Sequence, residues 1–459
     1  MKNILRGLLA VLLILSAIPS LYSQSGGQTL ENILSEIADY LAARNYTSAL
    51  SLFNTMPPEH AGDVEIKILH ANIFNAAGRP ADARRIASEV IAADSSNTEA
   101  LMVLADAAAL ENKDRDRRGF LDRVIGINPN HVRALIDLAN INLINSNLRA
   151  AGTYFDRVLQ SEPSNGEALV GRASVYRYNR ESREAERLLN RAVALYPEWA
   201  RPYHERARLY KGAGYYSDAL EDLQTAVNLE PDNYWVLVDF GQTLMELNRL
   251  QEALVHLDRA IDVSPDDFIA YVYSAAIKDA LGDYAGAERD YARLGRLKPD
   301  YYFAFEALGV IRMRNKNWAG ARDAFLEAYT KAPRDESYSY AILAALNWMR
   351  AGRQTDPKTF LAQVLRTTPN NTLDYSMLRL LHDLSGDNNV TILVDNERNI
   401  YTKSRMLFYL GTYYEIRGSR TLAERYYLMV QDIDAAGQLE WRLNEIILAE
   451  RGLGIRNAQ

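Results

Sequence analysis

The sequence predicts an all-α fold, a solenoid of stacked helical hairpins, on three observations. Prolines stand at 129, 163, 197, 231, 265, 299 and 333, each 34 residues from the last, in a chain with only fourteen prolines. With this proline numbered 32, units begin at residues 98, 132, 166, 200, 234, 268 and 302, and position 20 is Ala151, Ala185, Ala219, Ala253, Ala287 and Ala321. Position 8 is as uniformly small (Ala105, Ala139, Ala173, Ala207, Gly241, Ala275, Gly309), while position 24 is always large and apolar, as in Leu121, Phe155 and Phe325. A fixed period of this length marks a repeat array, in which each unit buries its apolar face only by stacking on its neighbours.

The elements of one unit follow in order. Turn residues break the chain between positions 8 and 20, as in "GAGYY" (212–216) and "LGDY" (281–284), so each unit divides into helix A and helix B. Small residues at 8 and 20 let the two backbones approach closely, and bulk at 4, 24 and 27 fills the space beside them. The proline lacks an N–H and clashes with a preceding carbonyl, so helix B ends there. The residue after it, Asn130, Asp232, Asp266 or Asp300, is expected to cap the next helix A. One unit departs: Arg117 occupies position 20, which predicts either a helix shifted by a residue or two onto Gly119 or a local joint.

The pattern of small 8, aromatic 11 (Tyr176, Tyr210), aromatic 17 (Tyr216, Tyr284, Trp318), Ala 20, bulky 24 and Pro 32 resembles the tetratricopeptide repeat. The resemblance implies a right-handed superhelical solenoid of about twelve units. It extends upstream to starts at 64 and 30, with Ala83 and Ala49 at position 20, and downstream to 404, with Gly411, Ala423 and Tyr427 at positions 8, 20 and 24. The expected organisation is a linker at 24–29, nine regular repeats over 30–335, two degenerate ones over 336–403, and a last repeat at 404–437. A capping helix and tail, 438–459, then close the apolar face.

The first residues differ. Lys2 and Arg6 precede an uncharged, mostly apolar run at 7–18, then Pro19 and a small Ser23 before Gln24. Twelve helical residues rise about 18 Å, short of the roughly 30 Å hydrocarbon core. A cleaved secretory signal over 1–23 is expected, with membrane contact through this segment only if it is left uncleaved. Export places the chain in the periplasm or cell envelope of a bacterium.

Composition narrows the function classes. A net charge of −7 over 459 residues argues against nucleic-acid binding, and the absence of cysteine rules out disulfides and thiolate metal sites. The six histidines have no zinc-helix spacing, and no nucleophile elbow, phosphate loop or dinucleotide fingerprint is present. No catalytic residue, metal or cofactor is assigned, and the chain is not expected to be an enzyme.

The resemblance implies binding through a groove lined by helix A, at positions 2, 5, 9 and 12. Residues 172–211 carry ten Arg or Lys against five Glu. The candidate site over residues 130–250 is Arg133, Asn140, Arg177, Tyr178, Arg201, His204, Arg208, Lys211, Trp235 and Gln242. Arginine grips carboxylates bidentately, and Arg and Trp anchor interfaces, so the expected partner is a protein or peptide, acidic in character. A second reading remains open, capture of a small anionic ligand for a transporter or envelope-assembly complex. The Lys-5/Asn-9 pattern of chaperone-tail clamps is missing: only Asn140 among Ile136/Asn140, Val170/Ser174 and His204/Arg208 fits it.

Overall fold

A computed structural model describes residues 27–352, 357–433 and 435–453, and the signal segment expected over 1–23 lies outside them. Among the described residues there are twenty-five α-helices and no strands. The chain divides into two compact units, Met1–Leu229 and Glu230–Gln459, each a helical solenoid.

The first unit holds α1 (Gly27–Ala42), α2 (Tyr46–Ser51), α3 (Val64–Ala76), α4 (Pro80–Ala93), α5 (Thr98–Leu110) and α6 (Asp114–Ile127). It continues with α7 (Val132–Ile144), α8 (Leu148–Ser161), α9 (Gly166–Tyr178), α10 (Ser182–Leu195), α11 (Ala200–Gly212) and α12 (Tyr216–Leu229). The alanines of positions 8 and 20 are buried throughout, and the backbones come close enough that some sites take no side chain at all. A Cβ on Gly171 would stand 2.2 Å from the Phe155 ring of the preceding unit.

Helix A of each regular repeat is closed by a left-handed residue at position 15, which recurs every 34 residues from Arg44 through Gly78, Asn112, Ser146, Arg180, Gly214, Asn248 and Gly282 to Lys316. This is the usual way to end a helix, and glycine takes the conformation without steric cost. Past Lys316 the mark falls two residues late at Gly352, then returns to frame at Leu384, Gly418 and Gly452.

Two expectations are corrected. The N-cap of helix A is the residue two places after the proline, not one. Asn165 accepts from the Ala168 amide, Asn233 from Val236 and His131 from Ala134. The residue directly after the proline instead meets an arginine at position 26 of the following unit, as in Arg259–Asp232 at 2.9 Å and Arg293–Asp266 at 2.7 Å. At position 20 of the unit at 98, α6 neither shifts nor uses Gly119, whose added Cβ would meet open space. Its bounds keep the 34-residue register with α8, and Arg117 reaches forward to Asp137 on α7 at 3.4 Å. A long side chain can leave a close-packed seam by its tip, so the register survives.

The second unit begins with three regularly spaced helix pairs and then changes character. Its helices are α13 (Tyr234–Glu246), α14 (Leu250–Val263), α15 (Ile269–Ala280), α16 (Tyr284–Leu297), α17 (Tyr302–Arg314) and α18 (Trp318–Lys331). There follow α19 (Arg334–Arg350), α20 (Lys358–Leu365), α21 (Leu373–Asp383), α22 (Asp387–Asp395), α23 (Ile400–Ile416), α24 (Arg420–Gln431) and α25 (Leu439–Glu450). α19 is buried without interruption from Ser337 to Asn347. It belongs to one contiguous core that runs from Val310 through Leu343, Met377 and Tyr409 to Leu448. α25 packs on α23 and α24 and also reaches back, pairing Arg442 with Asp279 on α15, 163 residues away in sequence.

Candidate partner-binding surface

In the first unit, α9 and α11 bring the basic positions together around a residue that the groove positions omit. Glu205, at position 6 of α11, has a side chain only 13% exposed, and its carboxylate accepts from Ser174 Oγ at 3.2 Å and Arg177 Nη2 at 3.4 Å. Arg208 Nη1 approaches its other oxygen at 3.5 Å. Burial by itself would raise the Glu205 pKa, but Arg177, Arg208, His204 and Arg201 together outweigh it and hold the carboxyl below its ordinary value. The acid is therefore a built-in counter-ion, and the arginines around it outnumber it.

The predicted residues separate by environment. Arg177 is a structural partner of Glu205, and its guanidinium lies 4.5 Å over the Tyr178 ring, while Tyr178 itself is 54% exposed. Arg201 stands 6.0 Å over Trp199 and half-buried; Lys211 is also half-buried; His204 is buried. One repeat upstream Arg133 is tied to Asp106, and Asn140 is half-buried. Burial keeps the Asp106 carboxyl above its ordinary value despite that arginine. Trp235 and Gln242 belong to the second unit. There Trp235 is 53% exposed with its ring edge-on to Tyr234 at 5.1 Å, and Gln242 hydrogen-bonds the Tyr273 hydroxyl, whose pKa burial raises.

Sequence reasoning missed Glu205 because it read charge at four positions per helix, and position 6 was not among them. It also missed an exposed apolar row at position 13, the C-terminal end of helix A: Leu110, Ile144 and Tyr178, with Ile144 81% exposed. The helix-B arginines behave as surface charge, Arg187 pairing with Glu184 at 3.1 Å. Among the described residues no cluster of acids and histidines could hold a metal ion, and no helix is long and apolar enough to cross a membrane.

Known proteins agree with this architecture. Sequence models described as tetratricopeptide repeat match residues 68–132, 211–276 and 275–336. The chain carries tetratricopeptide repeats over these residues. Its helical solenoid is of the kind that generally serves as a non-enzymatic scaffold and binds proteins or peptides. No curated protein matches the sequence. Among solved structures, a tetratricopeptide repeat protein from Parabacteroides merdae is 16% identical, covering 55% of this chain and 99% of its own, with a TM-score of 0.45. PilF of Pseudomonas aeruginosa is 17% identical over 43% of this chain and 89% of its own, with a TM-score of 0.40. YrrB, described as a repeat protein with an unusual peptide-binding site, is 21% identical over 41% of this chain and 96% of its own, with a TM-score of 0.33.

Proposed function

We propose that this protein is an exported scaffold of the bacterial cell envelope that holds an acidic protein or peptide segment against the helix-A face of its first unit. The observation that carries the reading is the gathering of Arg177, Arg201 and Arg208 around the buried Glu205, beside the exposed ring of Tyr178. A partner carboxylate meets Arg201 at the edge of this cluster, and an apolar partner side chain covers Tyr178 and Ile144. Aromatic and arginine side chains in such company are the common anchors of interfaces. The basic, apolar N-terminal run and the small residue before Gln24 support export.

The test must spare the residues that neutralise Glu205, because reversing Arg177 or Arg208 would leave like charges together. Tyr178→Ala combined with Arg201→Glu removes the exposed ring and reverses one charge of the cluster. The wild type, crosslinked in envelope extract, captures a discrete partner through an acidic segment, and the double variant loses it with its helicity unchanged. Capture of the same proteins by both would overturn the assignment of this face. Sequencing the N-terminus of the protein recovered from the periplasm reads Gln24 if the signal is cleaved there, and Met1 or a cytoplasmic location defeats the export reading.

A further inference from the structure

The second unit contains a cleft that shares no residue with the face just described and goes beyond the scaffold function. It encloses about 730 Å³, inside the roughly 300–1,000 Å³ typical of small-ligand sites. It lies where the C-terminal ends of α17, α19 and α23 meet α25, with the first residues of α18 and α24 at its edge. One wall is apolar, formed by Met313, Trp318, Met349, Ile416, Ile446 and Ile447. The rest is dominated by cations: Arg314, Lys316, Arg350, Arg420 and Arg451 line it with only Glu415 and Glu450 as acids, in a chain of net charge −7.

The deep cations are held in place. Arg350 and Arg451, with side chains 10% and 15% exposed, both bond Glu415, which also accepts from the Tyr427 hydroxyl at 2.9 Å. Arg350 lies 4.8 Å over the Trp318 ring. Arg451 also approaches Glu424 at 3.7 Å, and Arg420 bonds the same carboxylate at 3.0 Å. Three guanidinium groups thus share two carboxylates, and exposed Arg314 adds a further charge at the mouth, over the Tyr284 ring at 3.9 Å. Lys316 is offset by Glu450 at 4.0 Å. Four helix C-termini, those of α17, α19, α23 and α25, and two N-termini converge there, so the helix ends offset part of the side-chain charge without reversing it. A surplus of one to two positive charges beside an apolar wall matches a monoanion with a hydrocarbon body better than a compact dianion such as phosphate.

We propose that this cleft binds an amphipathic carboxylate, its head between Arg314, Arg420 and Arg451 and its aliphatic or aromatic tail against Trp318, Met349 and the isoleucines of α25. The carboxylate could be that of a free acid or of a peptide ending in an apolar residue, and the two sources share this chemistry. A ligand seated there touches α25 and the upstream helices at once, so it stabilises the second unit by binding its folded form alone.

The test uses the full chain and four probes in calorimetric titration: decanoate, decanol, and acetyl-Leu-Leu-Phe as the free acid and as the amide. One acid binds at one site per chain, and its neutral counterpart binds at least ~10-fold more weakly, as expected when a charge-assisted contact is lost. Whichever acid is bound more tightly names the source. Arg420→Glu, on an 82% exposed side chain that the fold does not need, lowers that affinity at least ~10-fold. Ile447→Trp, which fills the cleft without touching a charge, abolishes it. Equal binding of acid and neutral probe, binding at many sites, full affinity in Arg420→Glu, or no binding of either acid would each overturn the proposal.

Discussion

The two units solve the same packing problem in different ways. In the first, the buried side chains fall into separate small clusters, one around Leu34 and Ile37, others around Ala83, Leu121, Phe155 and Leu189, each spanning neighbouring helices. In the second, a small cluster around Tyr271, Leu294 and Ala304 is followed by a large one that runs from Val310 to Leu448 and takes in every helix from α17 to α25. The first is a chain of nearest-neighbour terms; the second, from α17 onward, packs as one body. The difference teaches that a repeat array can lose its regular spacing without losing its core. It also shows why the cleft arises in the second unit: helices that leave the 34-residue register no longer stack flush at their ends.

The largest test of that contrast is Arg350→Ala. It removes one of the two guanidinium partners of Glu415 together with its stacking on Trp318 and is expected to cost about 3 kcal/mol, lowering the urea midpoint from α17 to α25 in one transition. If hydrogen exchange shows only α19 loosening, the helices from α17 to α25 are not a single body.

Next comes a matched pair of fully buried leucines, Leu343→Ala in α19 and Leu135→Ala in α7. Each should cost about 2–5 kcal/mol at its site. Hydrogen exchange should accelerate from α17 to α25 in the first variant, and only in the repeats next to α7 in the second. Equal spread in both would erase the distinction between the units.

The pH dependence sharpens it further through two buried glutamates. In α25, burial raises the pKa of Glu440 against its Tyr409 hydrogen bond and the nearby Arg405. Its contribution to stability is full below the ordinary value of 4.5 and is lost as the pH climbs through the raised folded value. Glu205 runs the other way: its contribution is full above 4.5 and is lost as the pH falls through the lowered folded value. Urea midpoints across pH should therefore show Glu440→Gln flattening the decline from acid toward neutral, and Glu205→Gln flattening the decline on acidification. Unchanged profiles would mean that neither carboxyl is coupled to folding.

The smallest effect expected is a gain. Arg180 sits at position 15 with φ 64°, where its counterparts Gly78, Gly214 and Gly282 meet no steric cost. Arg180→Gly should stabilise the first unit by about 1 kcal/mol, read as a higher thermal midpoint. A loss would show that the arginine side chain contributes more there than its backbone costs.

The repeat was legible in the sequence because its physics is local. Proline ends a helix wherever it falls, and alanine at positions 8 and 20 is required wherever two helix backbones approach, so a 34-residue count exposes the architecture. The caps were misplaced by one residue because Asp and Asn suit both places after the proline, and only the backbone shows which side chain faces the helix amides. Pro369 falls two residues late, matching the late left-handed residue at Gly352, yet nothing in the letters says that the frame is regained at Leu384.

The site was less legible than the fold. The excess of basic residues over 172–211 is plain in the sequence, but their roles depend on Glu205, a single acid whose burial comes from α9 and α11 meeting. The cleft in the second unit could not be read at all. Its walls come from residues 313 to 451, and each arginine there looks, in sequence, like surface charge beside a helix end. By itself the sequence determined the class of fold, the length and register of the regular repeats, and the sign of the charge at α9–α11, since periodicity and composition carry these. Tertiary structure alone decided which charges pair with internal carboxylates and where helix ends part to leave a cleft. Burial and pairing depend on distances between residues that the sequence keeps far apart.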